Sequence, residues 1–294
     1  MGLRANPTYR QRRFGAEVRA IREGAGLTAG EAAAVMGMQA SHISNVESGR
    51  TPLSRERLRA LVEASRCKDT TYVDALVEMG QASGKGWWTE YRDRLRPSLL
   101  DLAELEDGAC DIVCYEPMFV PGLLQTEEYA TAGYRDGYTS ASRSEQDREV
   151  EFRMHRQAVL SGEHAPRLHA VIHEAALHVS FGDPAIRRGQ LIRLLEAAEL
   201  PNVTLQILPF DGAVAFGTSF TTLRPSVRAL STVIVAHIER SLYLGEADSL
   251  ARYNDWFAKL CEVALPSTSG ERRPGSYSVK DSCGLIQRLL YPLL

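Results

Sequence analysis

The stretch GMQASHISNVESGR, Gly37–Arg50, holds the residue types best suited to chemistry in this chain. Amides and hydroxyls at Gln39, Ser41, Ser44 and Asn45, with the small Ala40 among them, can read the edges of base pairs. An amide pairs bidentately with adenine, and a hydroxyl bonds to either base type. His42 suits a phosphate, as do Arg12, Arg13, Arg50 and Arg55, and such contacts position a protein on a duplex without specifying sequence. A helix can offer these groups only if its other side is anchored. Ile43 and Val46 are the bulky apolar residues available for that.

HAVIHEAALH, residues 169–178, invites comparison with a zinc helix. Three residues separate Glu174 from His178, where a zinc-peptidase helix places two, so His173 and His178 would not share a helical face. No metal and no cofactor are expected. Five cysteines, an odd number without a CxxC pair, read as free thiols of a reducing cytoplasm. No Gly-rich phosphate loop or nucleophile elbow is visible, so the chain is not expected to be an enzyme. In the second half Glu116, Gln125, Arg153, Arg156, Gln157, Glu174 and Glu239 lie beside apolar segments. They form either structural ion pairs, such as an arginine of the 144–161 helix with Glu174 or Glu239, or a pocket for a small molecule or a partner's tail.

The elements that must position the first stretch are helical. Phe14, Val18 and Ile21 repeat at helical spacing, and Thr28 with Glu31 forms a capping box at the start of a second helix whose inner face is Ala32, Ala33 and Val35. Gly37 supplies a turn that tolerates positive φ, Gln39–Ser48 makes the third helix, and two more follow by Gly80. Two short helices joined this way read DNA when the second enters the major groove.

Ala33, Gly37, Ile43 and Val46, followed by Glu47-Ser48-Gly49-Arg50, resemble the Cro/phage-repressor (xenobiotic-response-element) family, in which I-S-x-x-E-x-G ends the recognition helix. The resemblance covers about residues 12–80. That family usually places a glutamine near the start of the second helix to contact phosphate. Ala29-Gly30 stands there in this chain, leaving Thr28 or Arg50 to compensate. WWTEY, YEPMFVPGLLQTEEYA, RMHRQAVL, RLHAVIHEAAL, NVTLQILPF and VAHIERSLYL look like the C-terminal domain of a group of actinobacterial antitoxin-like regulators, over roughly residues 87–264. The resemblance implies a helix-turn-helix regulator, often encoded beside a small partner protein.

Strands interleaved irregularly with helices in the second half predict an α+β domain with a mainly antiparallel sheet. The expected organisation is an all-α helix-turn-helix domain of five helices over 1–80, a linker at 81–86, the α+β domain over 87–265, a tether at 266–278 and a C-terminal helix over 279–294. Residues 1–66 carry eleven arginines against six glutamates, whereas the remainder holds 23 basic and 31 acidic residues. A basic front on an acidic body fits a polyanionic partner. No apolar run reaches the length of a membrane span, and no signal peptide is visible. The expectation is a cytoplasmic, sequence-specific regulator that binds double-stranded DNA as a homodimer. Its second domain would sense a small molecule or a partner protein. An antitoxin-like protein that binds a small partner and controls its own operon is the alternative, and an enzyme fused to a DNA-binding domain a third.

Overall fold

Thr8 and Thr28 set where the first two helices begin. Each hydroxyl accepts a bond from the amide three residues on, and the Gln11 or Glu31 side chain returns a bond to the cap's own amide. The computed structural model describes residues 6–65, 67–137, 141–181, 183–212, 217–237, 241–267 and 281–294. It divides into two units, Met1–Arg92 with Arg96–Leu105, and Asp93–Leu95 with Glu106–Leu294. Among the described residues there are twelve α-helices, and no helix is long and apolar enough to cross a membrane.

The first unit contains α1 (Tyr9–Gly24), α2 (Ala29–Val35), α3 (Ala40–Glu47), α4 (Arg55–Ser65) and α5 (Thr70–Gln81). Val18, Ala32, Val46, Leu61 and Leu76 are fully buried where these helices meet. Each large side chain removed from water there contributes about 1.5–3 kcal/mol. Val35, expected on the inner face of α2, is 38% exposed, and Met36 at 3% fills that place. The 81–86 stretch lies inside this unit rather than ending it. Beyond it the chain enters α6 (Pro97–Asp107), from which Asp101 accepts the Tyr9 amide at 2.9 Å and Glu104 pairs with Arg10 at 2.6 Å.

The second unit is built on β1 (Asp111–Glu116), after which come α7 (Glu127–Asp136) and α8 (Arg143–Arg156). Then follow β2 (Arg167–His173), α9 (Glu174–His178), α10 (Pro184–Ala197), β3 (Val203–Leu208), β4 (Phe220–Arg224), β5 (Thr232–Val235), β6 (Leu242–Leu244), α11 (Ala247–Val263) and α12 (Ser282–Leu290). The strands form one sheet in the order β3-β2-β1-β4-β5-β6. This corrects the expectation of a mainly antiparallel sheet, because β1, β2 and β3 run parallel and only β4, β5 and β6 join antiparallel. A parallel pair needs a long crossover, and two helices intervene between β1 and β2 and two more between β2 and β3.

Alternate residues of the strands separate into two faces. Val113, Tyr115, Val171, Leu208, Phe220, Val233 and Val235 pack beneath Leu250, Phe257 and Leu260 of α11. On the opposite side α12 packs on α10 and β3, with Leu285, Ile286 and Leu290 buried. Ser282 fastens it: its hydroxyl accepts the Ile207 amide at 2.9 Å and donates to the Leu265 carbonyl at 3.0 Å. Together with the Leu265 amide bonded to the Ile207 carbonyl, this covers the outer edge of β3. Most of the expected tether, residues 268–278, lies outside the described residues, as do the first two residues of the expected C-terminal helix, 279 and 280.

Candidate nucleic-acid interface

α3 is held from below by Ile43 and Val46, at 2% and 0% exposure, and Gly37 makes the preceding turn at φ 59°. Its outer side carries Gln39, Ala40, Ser41, His42 and Ser44, all exposed, with Asn45 half-buried at the rim. Gln39 is the N-cap residue but makes no side-chain capping bond. Among the described residues none of the side chains of Gln39, Ser41, Ser44 and Asn45 is engaged in an intramolecular hydrogen bond. The helix thus presents a row of uncommitted amides and hydroxyls on a rigid support, the arrangement that direct readout of base edges requires.

Two features that hold α3 escape any reading of local spacing. Glu47 in its last turn pairs bidentately with Arg22 of α1, at 2.5 and 3.2 Å, with side chains only 12% and 13% exposed. A carboxylate at a helix C-terminus is unfavourable by itself, and the guanidinium offsets it. Gly15 is the second. α1 crosses the end of α3 so closely that a Cβ at Gly15 would stand 2.5 Å from the Glu47 carbonyl oxygen. The only trace of this in the sequence is a glycine inside an otherwise helical pattern.

The expected phosphate contacts divide. His42, Arg50 and Arg55 are exposed, and their side chains make no intramolecular hydrogen bond among the described residues. Arg13 is turned inward, bridging Glu17 at 2.7 Å with its side chain 10% exposed, so it is not offered to a phosphate. Arg12 bonds to the Pro7 carbonyl at 2.5 Å and approaches Asp101 at 3.6 Å, which leaves its charge partly offset. Thr28 is committed as well: its hydroxyl donates to Glu31 at 2.7 Å and, with its amide, holds that carboxyl below the ordinary value. The resulting negative charge at the start of α2 opposes a phosphate there. Arg57, missed in the sequence, reaches the Gly37 carbonyl at 3.4 Å and so stands beside the turn.

In the second unit five of the expected polar residues converge at the carboxyl end of β1. Arg153 donates to Gln125 Oε1 at 2.5 Å and to the Tyr134 hydroxyl at 2.8 Å, lying 4.8 Å over that ring. Gln157 donates to the Gly122 and Gln125 carbonyls. Arg156 pairs with Glu106 of α6 through two bonds of 2.8 and 2.5 Å, and not with the expected Glu174. Glu174 stands apart, accepting the Phe210 amide at 3.0 Å and facing His178 at 3.6 Å, and Glu239 lies outside the described residues. The histidines are engaged separately, His169 with Gln206 at 2.7 Å and His173 as the N-cap of α9.

The side chain of Glu116, half-buried at the end of β1, makes no hydrogen bond among the described residues. Burial pushes its carboxyl up to about 8, with Arg153 pulling the other way. The unfolded chain ionises the same group near the ordinary carboxylate value. The stability gained by keeping it neutral is therefore complete at low pH and is lost as pH rises through about 8. Glu116→Gln should show a flatter decline of thermal midpoint than the parent between about pH 5 and pH 9 in calorimetry. Parallel declines would show that Glu116 is not the group responsible.

The family model for the domain of unknown function (DUF5753) matches residues 99–271, and the model for a helix-turn-helix domain matches residues 13–76. No curated protein and no solved structure matches the chain.

Proposed function

Since the chain belongs to the family defined by the domain of unknown function DUF5753 and carries a helix-turn-helix domain over 13–76, we propose that it is a sequence-specific transcription regulator of the xenobiotic-response-element type. The observation that carries this reading is the outer side of α3, where Gln39, Ser41, Ser44 and Asn45 are uncommitted while Ile43 and Val46 fix the helix. Arg50, Arg55, Arg57 and His42 supply phosphate contacts around it. One recognition helix covers few base pairs, so the protein acts as a homodimer on paired half-sites about one helical turn apart. The second unit biases DNA binding by engaging an effector with different affinity in two states, and has no catalytic role of its own. A cytoplasmic location follows from the DNA partner.

Selection from random duplexes tests this reading. A consensus with dyad symmetry is expected, and Asn45→Ala should relax preference at one base pair of each half-site by about 1–3 kcal/mol. Recovery of no consensus would overturn sequence-specific binding.

A further inference from the structure

Most hydrogen-bonding groups at the carboxyl end of β1 are matched among the described residues, and those left over are the Glu116 carboxyl and one nitrogen on each of Arg153 and Arg156. Gln125 and Gln157 spend their amide N–H groups on carbonyls of Val120, Gly122 and Gln125. Arg156 gives Nε and Nη2 to Glu106, which leaves Nη1 without a hydrogen bond among the described residues. Among the described residues the direct partners of Arg153 are neutral, Gln125 and Tyr134, and its buried Nε has none. A buried guanidinium N–H left unbonded is costly, so its place in the fold calls for an acceptor.

Both remaining nitrogens border the same space. A Cβ built on Gly122 would stand 3.9 Å from Arg153 Nε and 3.9 Å from Arg156 Nη1, with no other heavy atom of the described residues within 4 Å apart from its chain neighbours and its own helix backbone. Two N–H groups from two guanidiniums thus approach Gly122, and a pair of such donors suits the two oxygens of a carboxylate. Within this cluster Glu106 is spent on Arg156, burial raises the carboxyl of Glu116 to about 8, and Glu149 bonds to the Tyr134 hydroxyl, so Arg153 has no direct carboxylate partner among the described residues. The loop that leads to Gly122 carries Met118 and Phe119, 52% and 50% exposed, with Phe119 stacked on Phe181 at 6.0 Å. The carboxyl end of parallel strands is also where open α/β sheets take ligands.

We propose that Arg153 Nε and Arg156 Nη1, beneath Gly122, hold the carboxylate of a small apolar carboxylic acid whose hydrocarbon part lies along Met118 and Phe119. This gives the second unit's effector a chemical class and rests on the reading of the protein as an effector-responsive regulator. A water molecule could satisfy the same two donors, but it would give the protein no preference for an acid over its amide.

The test is titration calorimetry and thermal shift of the full chain, without DNA, against benzoate, 3-phenylpropanoate and octanoate and the three corresponding amides. At least one acid is expected to bind with Kd below ~1 mM and its amide at least about tenfold more weakly. Gly122→Leu, which fills the space without removing a bonded group, should abolish that binding while circular dichroism stays that of the parent. The proposal is overturned if no acid binds, if acid and amide bind alike, or if folded Gly122→Leu binds as the parent does. Should that variant fail to fold, the acid-against-amide comparison on the parent decides alone. Because DNA is absent, failure here leaves DNA reading by α3 standing, and failure of DNA binding leaves this result intact.

Discussion

Removing either half of the Arg156–Glu106 pair should cost the second unit about 3–5 kcal/mol. The side chains are 9% and 4% exposed and bind through two bonds, so each single substitution leaves one buried charge without its counterion. Glu106→Ala strands the Arg156 guanidinium, and Arg156→Ala strands a carboxylate. The joint replacement Glu106→Leu with Arg156→Met removes both charges at similar volume and should recover most of the loss. Urea unfolding of the two single variants and the double variant checks this through the midpoint at constant slope. Losses that simply add in the double variant would mean that the two residues do not stabilise the fold as a pair.

Gly15→Ala should cost the first unit about 3 kcal/mol and displace α3. The new Cβ would stand 2.5 Å from the Glu47 carbonyl oxygen and 2.6 Å from that of Val46. These are backbone atoms, which no rotamer change can move, so α1 and α3 must separate and Ile43 and Val46 lose their seat. Affinity for DNA should fall with stability. Gly24→Ala is the control, since a Cβ there meets nothing within 4 Å. Calorimetry should show a lowered midpoint for the first substitution and an unchanged or raised one for the second. Equal midpoints would refute the close crossing.

What the sequence discloses follows from the range of each interaction. Gly37, Ile43, Val46 and the Thr28–Glu31 box lie within one or two helical turns of each other, and spacing alone finds them. The Arg22–Glu47 pair spans 25 residues and the Arg156–Glu106 pair 50, and no local period links such partners. Gly15 is visible only as a glycine within a helix, without the crossing that requires it. Strand positions are legible from apolar runs, but pairing direction depends on the helices between β1, β2 and β3 acting as crossovers, which no strand's own pattern discloses. The run Asp111–Glu116, buried at every position before Glu116, also lacks the alternation of a half-exposed antiparallel strand. Arg13 and Thr28 turn to Glu17 and Glu31 instead of a phosphate, because composition gives charge and hydrogen-bonding capacity but not the partner that consumes it.

Whether α3 reads DNA is decided by one ratio. Fluorescence anisotropy at fixed salt compares affinity for the selected duplex with affinity for a scrambled duplex of equal length, in the parent and in the Gln39→Ala, Ser44→Ala, Asn45→Ala triple variant. The ratio is expected to fall at least about tenfold in the triple variant. Binding to the scrambled duplex and its salt dependence should be unchanged, because Arg50, Arg55 and Arg57 remain to meet phosphates. A triple variant that folds as the parent does and keeps the parent's ratio would contradict the assignment of α3 as the reader.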